Sequence, residues 1–184
     1  MVKVCGITRR EDAEAAVAAG ASAIGFIFYP KSPRYVTPEK AAQLGRGLEV
    51  WKVGVFVDES PASVEAVMRA AHLDVAQIYG GELPNVPRIW RAIRVGPTSR
   101  SANEHVEAIL LDGPANGITF DWKQAHGLSG KLILAGGLNA SNVAEAIRVA
   151  QPWGVDASSG LESAPGIKDH EKVRQFVKAA LQAA

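Results

Sequence analysis

A single cysteine, Cys5, leaves this 184-residue chain no partner for an internal disulfide. That excludes a disulfide-stapled fold and fits a reducing compartment. Histidine is scarce too: His72, His105, His126 and His170 fall in helical or helix-flanking segments, and none ends an apolar run. With no His-Glu-x-x-His pattern and no cysteine cluster, no metal site is expected. Neither sign of charge dominates. Lys and Arg number 20 against 19 acidic residues, a formal charge of +1, so no strong field favours nucleic acid or a membrane. Arg88, Arg91 and Arg94 read as a solvated edge. The longest apolar stretch, 15–29, contains Gly20, Ser22 and Gly25 and falls short of a membrane span. The amino terminus lacks the charged, apolar and cleavage segments of a secretory signal, so a cytoplasmic protein is expected. A phosphate loop of the Walker type and a dinucleotide fingerprint are also missing, which makes a cofactor-free reaction the expectation. No decisive apolar patch marks a partner subunit, and the oligomeric state stays open.

What is present is a repeated rhythm. Hydrophobic residues make up 47% of the chain, enough for one domain, 1–184, to bury a substantial core. Eight apolar runs recur: Val2 to Cys5, Ala23 to Phe28, Trp51 to Val57, Val75 to Tyr79, Ala92 to Val95, Ala108 to Asp112, Lys131 to Ala135, and Trp153 to Ala157. Their near-continuous apolar character suits strands of a parallel sheet covered on both faces. Helix starts lie between them. Thr8 with Glu11 and Ser101 with Glu104 have capping-box spacing, Thr37-Pro38 and Ser60-Pro61 pair an N-cap with proline at the first helical position, and Asn139 suits another cap. In the first helix Ala13, Ala16, Val17 and Gly20 form a small-residue face. Eight such units predict an α/β fold, a single closed (βα)8 TIM barrel. The chain is short for that fold, which usually needs about 200 residues or more. Brief crossovers at 81–90 and 96–107 place the shortage in the fourth to sixth helical connections.

In a barrel of this type, chemistry sits where strands end. Cys5 ends the first run, Gln77 and Tyr79 finish the fourth, Asp112 ends the sixth, and Asp156 lies late in the eighth. A lone cysteine is more commonly plain core filling, and an aspartate before Gly113-Pro114 equally suits a loop cap. Together, facing one another across a barrel mouth, a thiol and a carboxyl form a base and acid pair. Gly136-Gly137 follows the seventh run and Ser158-Ser159-Gly160 the eighth. Paired glycines alone usually make a turn, but two small-residue loops after adjacent final strands point to a phosphate site and a phosphorylated metabolite. Arg34, between prolines 30 and 33 and Tyr35, is placed to hold a carboxylate or phosphate, or simply faces solvent. Lys3 suits a Schiff base or, better, a buried ion pair.

Lys3-Val4-Cys5-Gly6-Ile7-Thr8, the run from Gly25 to Arg34, Leu110-Leu111-Asp112, Phe120-Asp121-Trp122, Ala135-Gly136-Gly137-Leu138 and the run from Val155 to Glu162 occur in an order that closely resembles the phosphoribosylanthranilate isomerases of tryptophan biosynthesis. The resemblance implies a (βα)8 barrel performing an Amadori rearrangement. Asp112 would protonate the ribose ring oxygen and Cys5 would take the proton from the neighbouring carbon. Arg34 would hold the anthranilate carboxylate, the glycine and serine loops the phosphate, and Gln77 and Asp156 would contact substrate. Alternatives are a non-catalytic barrel that binds a phosphate ligand, or a histidine-pathway sugar-phosphate isomerase, where an aspartate is expected in place of Cys5. Two features depart from the family pattern. Gln77-Ile78-Tyr79-Gly80 has tyrosine where histidine is usual, which alters local substrate contacts. The loop from Gly113 to Thr119 is cut short, which is expected to leave the mouth more open.

Overall fold

The computed structural model of the chain describes residues 1–96, 106–126, 128 and 130–183. Eight parallel strands, β1 (Val2–Val4), β2 (Ala23–Ile27), β3 (Trp51–Val57), β4 (Val75–Tyr79), β5 (Ile89–Arg94), β6 (Ala108–Asp112), β7 (Lys131–Leu134) and β8 (Gly154–Ala157), pair in sequence order. β8 returns to β1 with Lys3 opposite Asp156, closing the barrel. A hairpin of β9 (Glu162–Ala164) and β10 (Ile167–Lys168) follows β8.

Outside the barrel run α1 (Arg10–Ala18), α2 (Pro38–Gly45), α3 (Pro61–Ala70), α4 (Val143–Ala150) and α5 (His170–Ala183). The proline-led starts are as the sequence predicts: Thr37 and Ser60 accept from the backbone N–H groups of Lys40 and Ser63, which relieves otherwise unpaired donors. Two other caps differ. The Thr8 hydroxyl donates to the Gly166 carbonyl, and α1 starts after Arg9 without a side-chain cap. Asn139 instead ties its own turn, accepting from Ser141 N, while α4 starts after Asn142. The Ser101–Glu104 pair lies outside the described residues. No helix bridges β4 and β5, and a 3-10 turn at Trp122–Ala125 serves between β6 and β7.

Alternation along each strand sends every second side chain inward. At the amino end of the barrel these are Trp51 and Trp90, joined by Trp153 from just before β8, and the three rings lie 6.0–6.3 Å apart. Burial of such a ring contributes on the order of 3 kcal/mol, and together they plug that end. Above them sit Val53, Val75, Leu110 and Ile133. Sequence parity then brings Cys5, Gln77, Tyr79, Asp112 and Asp156 to the inside of the carboxyl end. β5 begins earlier than the apolar run predicts, because Arg91 interrupts the pattern while Ile89 and Trp90 remain buried. Among the described residues no helix is long and apolar enough to cross a membrane.

Candidate active site

One cavity of about 560 Å3 opens at the carboxyl end, and Cys5, Arg34, Gln77, Asp112, Gly136, Gly137, Asp156, Ser158, Ser159 and Gly160 all line it. The candidate acid, base and binding residues read from the sequence therefore meet in one place. A larger cavity, about 950 Å3, lies at the opposite end between α4 and α5 and contains none of them.

At the cavity floor Lys3 is completely buried and its Nζ donates to Asp156 Oδ2 at 2.7 Å, the ion-pair arrangement. Burial pushes the Lys3 ammonium down, but Asp156 and the Cys5 sulfur outweigh it and the net direction is up. Lys3 therefore stays charged. The other Asp156 oxygen, Oδ1, is buried and has no partner among the described residues, as is Gln77 Oε1. Orphaned acceptors inside a polar cavity are strong sites for ligand hydroxyls.

Cys5 continues the ladder one residue past β1, its N–H donating to the Ala157 carbonyl at 2.9 Å. Burial pushes its thiol up, against the opposing pull of the Lys3 ammonium. Asp112 ends β6, and burial pushes its carboxyl up against donors that include the Tyr79 hydroxyl. Tyr79 Oη donates to Asp112 Oδ2 at 3.0 Å. The tyrosine that departs from the family pattern thus touches the acid candidate itself, a contact reaching beyond the substrate surroundings expected from sequence. Burial favours the protonated form of the Asp112 carboxyl, as an acid requires, while the Lys3 ammonium opposes the same effect of burial on the Cys5 thiol, as a base requires.

Arg34 is more committed than its sequence position suggests. Its Nε and Nη2 donate to the two carboxylate oxygens of Glu162 at 2.7 Å each. Glu162 also accepts from Lys168 Nζ at 3.0 Å, and that ammonium donates to the Ser158 carbonyl at 3.1 Å. Burial pushes Glu162 up, yet Arg34 and Lys168 hold it below the usual carboxylate range. Glu162 and buried Lys168 were missed in sequence because they act only once the β9–β10 hairpin folds back; Pro165-Gly166 was the turn signal for it. Arg94, read as solvated edge, lines the cavity and bonds Asn116 Oδ1 at 3.0 Å. Arg88 is tied to Glu107 and lies 4.0 Å over the Trp51 ring.

The small-residue loops sit side by side. A β-carbon on Gly160 would fall 2.4 Å from the Leu138 carbonyl oxygen, and one on Gly136 only 2.2 Å from Gly113 N. The glycines thus let three loops converge on the cavity rim, where Ser158 Oγ is buried without a partner among the described residues. The shortened loop after Asp112 still reaches this rim, with Asn116 and Gly117 lining the cavity.

The sequence and fold have close relatives. Residues 2–179 match the family described as N-(5'phosphoribosyl)anthranilate (PRA) isomerase. The N-(5'-phosphoribosyl)anthranilate isomerase of Solibacter usitatus is 53% identical over 194 aligned positions, covering 98% of this chain and 96% of that protein. A crystal structure of phosphoribosyl anthranilate isomerase from Thermus thermophilus superposes with a TM-score of 0.92 at 36% identity, covering 100% of this chain and 99% of that one. A further isomerase, solved in complex with reduced 1-(o-carboxyphenylamino)-1-deoxyribulose 5-phosphate, has a TM-score of 0.82 at 36% identity over 98% of both chains. With its closed barrel, its thiol and carboxyl at the strand mouths and these matches along nearly its whole length, the chain belongs to the N-(5'-phosphoribosyl)anthranilate isomerase family.

Proposed function

We propose that Cys5 and Asp112 act as base and acid in the isomerisation this chain performs in tryptophan biosynthesis. The reaction converts N-(5'-phosphoribosyl)anthranilate to 1-(2-carboxyphenylamino)-1-deoxyribulose 5-phosphate. The observation that carries the assignment is the convergence of an interior thiol, a half-buried carboxyl and two small-residue loops on one cavity, in a chain of this family.

The steps balance without an external reactant. Asp112 gives its proton to the furanose ring oxygen as the bond from that oxygen to the sugar's first carbon breaks. The bonding pair goes to oxygen, and the anilino nitrogen's lone pair forms the iminium. The Cys5 thiolate then takes the proton on the second carbon, whose electrons form the enolamine. The Cys5 thiol returns its proton to the first carbon and the second-carbon hydroxyl proton passes to the Asp112 carboxylate, which gives the ketone and restores both groups. Lys3 and Lys168 are the cations that favour the Cys5 thiolate. Gln77 Oε1 and Asp156 Oδ1 accept ribose hydroxyls, Gly136, Gly137, Ser158, Ser159 and Gly160 hold the phosphate, and Arg34 holds the anthranilate carboxylate. The compartment is the cytoplasm.

The test is turnover, followed by the fluorescence change of substrate conversion, for Cys5→Ala and Asp112→Asn beside the unaltered protein. Each variant is expected to lose about 10²-fold or more in kcat, as removal of a positioned acid or base does, while still binding the reduced product analogue. Full activity in either variant overturns that residue's assignment. Binding without turnover in the unaltered protein would make it a ligand-binding barrel. Intact mass after turnover should show no substrate attached to Cys5; an adduct would make the thiol a nucleophile.

A further inference from the structure

We infer that Tyr79 is a positioning residue for the acid, its hydroxyl occupying one oxygen of Asp112 so that the transferable proton is carried on the other. The inference rests on Asp112 being the acid and goes beyond it. Tyr79 Oη lies 3.0 Å from Asp112 Oδ2. A neutral carboxyl has one proton, and its carbonyl oxygen is a better acceptor than its hydroxyl oxygen, so a phenol bonded to Oδ2 favours the form in which Oδ2 is the carbonyl. The proton is therefore directed to Oδ1.

Tyr79 keeps its own proton throughout. Burial, with the Asp112 carboxylate beside it, pushes the phenol well above its usual range, so it remains a donor across the working pH. Its bond also strengthens as the reaction proceeds. While Asp112 is neutral the phenol donates to a carbonyl-like oxygen; once the proton has passed to the sugar, it donates to a carboxylate, a bond roughly twice as strong. An interaction that grows toward the transition state raises kcat more than it lowers KM.

The groups facing this pair come from every side of the barrel mouth. Arg94 from β5 and Asp156 from β8 act on Asp112, and the Gly113 N–H also bonds its carboxylate. Cys5 from β1 and Asp156 act on the phenol. Lys31 and Arg34 from the loop after β2, and Asp58 after β3, line the same cavity. β7 presents Ala135 and Gly136, which carry no charge. Of these groups, only the phenol bonds the Asp112 side chain with a side-chain donor among the described residues.

The experiment compares Tyr79→Phe and Tyr79→His with the unaltered protein, reading kcat and KM across pH. Removing the phenol oxygen is expected to lower kcat about tenfold while KM moves less than about threefold. The acid must be protonated to work. Without the phenol the carboxylate is less favoured, Asp112 holds its proton to higher pH, and the ionisation of the acid in the kcat/KM profile, the one that Asp112→Asn removes, should move up. Tyr79→His retains a donor, so kcat should recover to within about threefold, and a new ionisation should enter the profile between about pH 5 and 8. An Asp112 ionisation that stays in place in Tyr79→Phe overturns the inference, as does a KM rise with kcat unchanged, which would make Tyr79 a substrate contact. Should Asp112→Asn stay active, the acid assignment fails first; should it be dead while Tyr79→Phe is unaltered, the positioning role alone fails.

Discussion

Gly25 and Cys5 lie so close on adjacent strands that a β-carbon on Gly25 would stand 2.7 Å from the Cys5 sulfur and 3.1 Å from Lys3 Cε. The thiol and the buried ammonium fill the space that the glycine leaves. Close-packed interiors do not absorb an added methyl for nothing, and overpacking costs about 1–3 kcal/mol. Gly25→Ala should therefore turn the Cys5 side chain away from its position over the cavity. Expected are a fall in kcat of about tenfold or more and a lowered thermal midpoint. Steady-state kinetics with a melting curve check both; unchanged kcat would show that the sulfur's position is not set by this contact.

Arg34 serves two carboxylates in the proposed complex, Glu162 through Nε and Nη2 and the anthranilate group through the remainder of its fork. A lysine carries the charge but offers a single point of donation. Arg34→Lys is expected to raise KM about 10- to 100-fold with kcat within about threefold, since a bidentate clamp is lost and the acid and base are untouched. Equal KM values would remove Arg34 from the binding surface.

Gly136 has φ of +83° and would place a β-carbon against Gly113 N and Cα, at 2.2 and 2.6 Å. Alanine there meets both a disfavoured backbone region and rigid backbone atoms. Gly136→Ala should force the loops after β6 and β7 apart, costing about 1–3 kcal/mol and weakening inorganic phosphate as a competitive inhibitor by about tenfold. Inhibition constants measured on the folded variant check the second effect. Unaltered phosphate inhibition would mean that the glycine pair serves packing alone.

The barrel was legible because all eight strands are buried on both faces, and near-continuous apolar runs survive even where polar residues such as Lys52 intervene. Residues at strand mouths were legible for the same reason: a chemically distinct residue at the end of an apolar run has a known place in the fold. Contacts made after folding were not. Thr8 spends its hydroxyl on Gly166, 158 residues away, in place of capping α1, and Glu162 captures Arg34 from 128 residues away. Sequence spacing reports local competition for hydrogen bonds and is silent on such long-range rivals. Tyr79 was noticed as a departure, yet its partner, Asp112, lies two strands away across β5 and only the closed barrel brings them together.

Glu107 links the tryptophan plug to pH. It accepts from Arg88 Nε and Nη2 at 2.7 and 2.9 Å and from Lys131 Nζ at 3.0 Å. The same two cations lie over Trp51 and Trp153, at 4.0 and 4.6 Å from the ring centres. The Arg88 hydrogen bonds, aided by Lys131 and opposed by burial, hold the Glu107 carboxyl down at about 2. A carboxyl whose folded value is depressed contributes stability that is fully present above its unfolded value and is lost as pH falls through the folded one. For Glu107 the window runs from an ordinary 4.5 down to about 2. The pair is partly solvated, so the contribution is about 1 kcal/mol. Urea unfolding at about pH 6 and about pH 2.5 should show the unaltered protein losing about 1 kcal/mol more than Glu107→Gln over that interval. Asp12 and Glu162, also held below the usual range, make both proteins less stable in acid, so the difference between the two slopes isolates Glu107. Parallel slopes would show that the cations are held by their rings and not by the carboxylate.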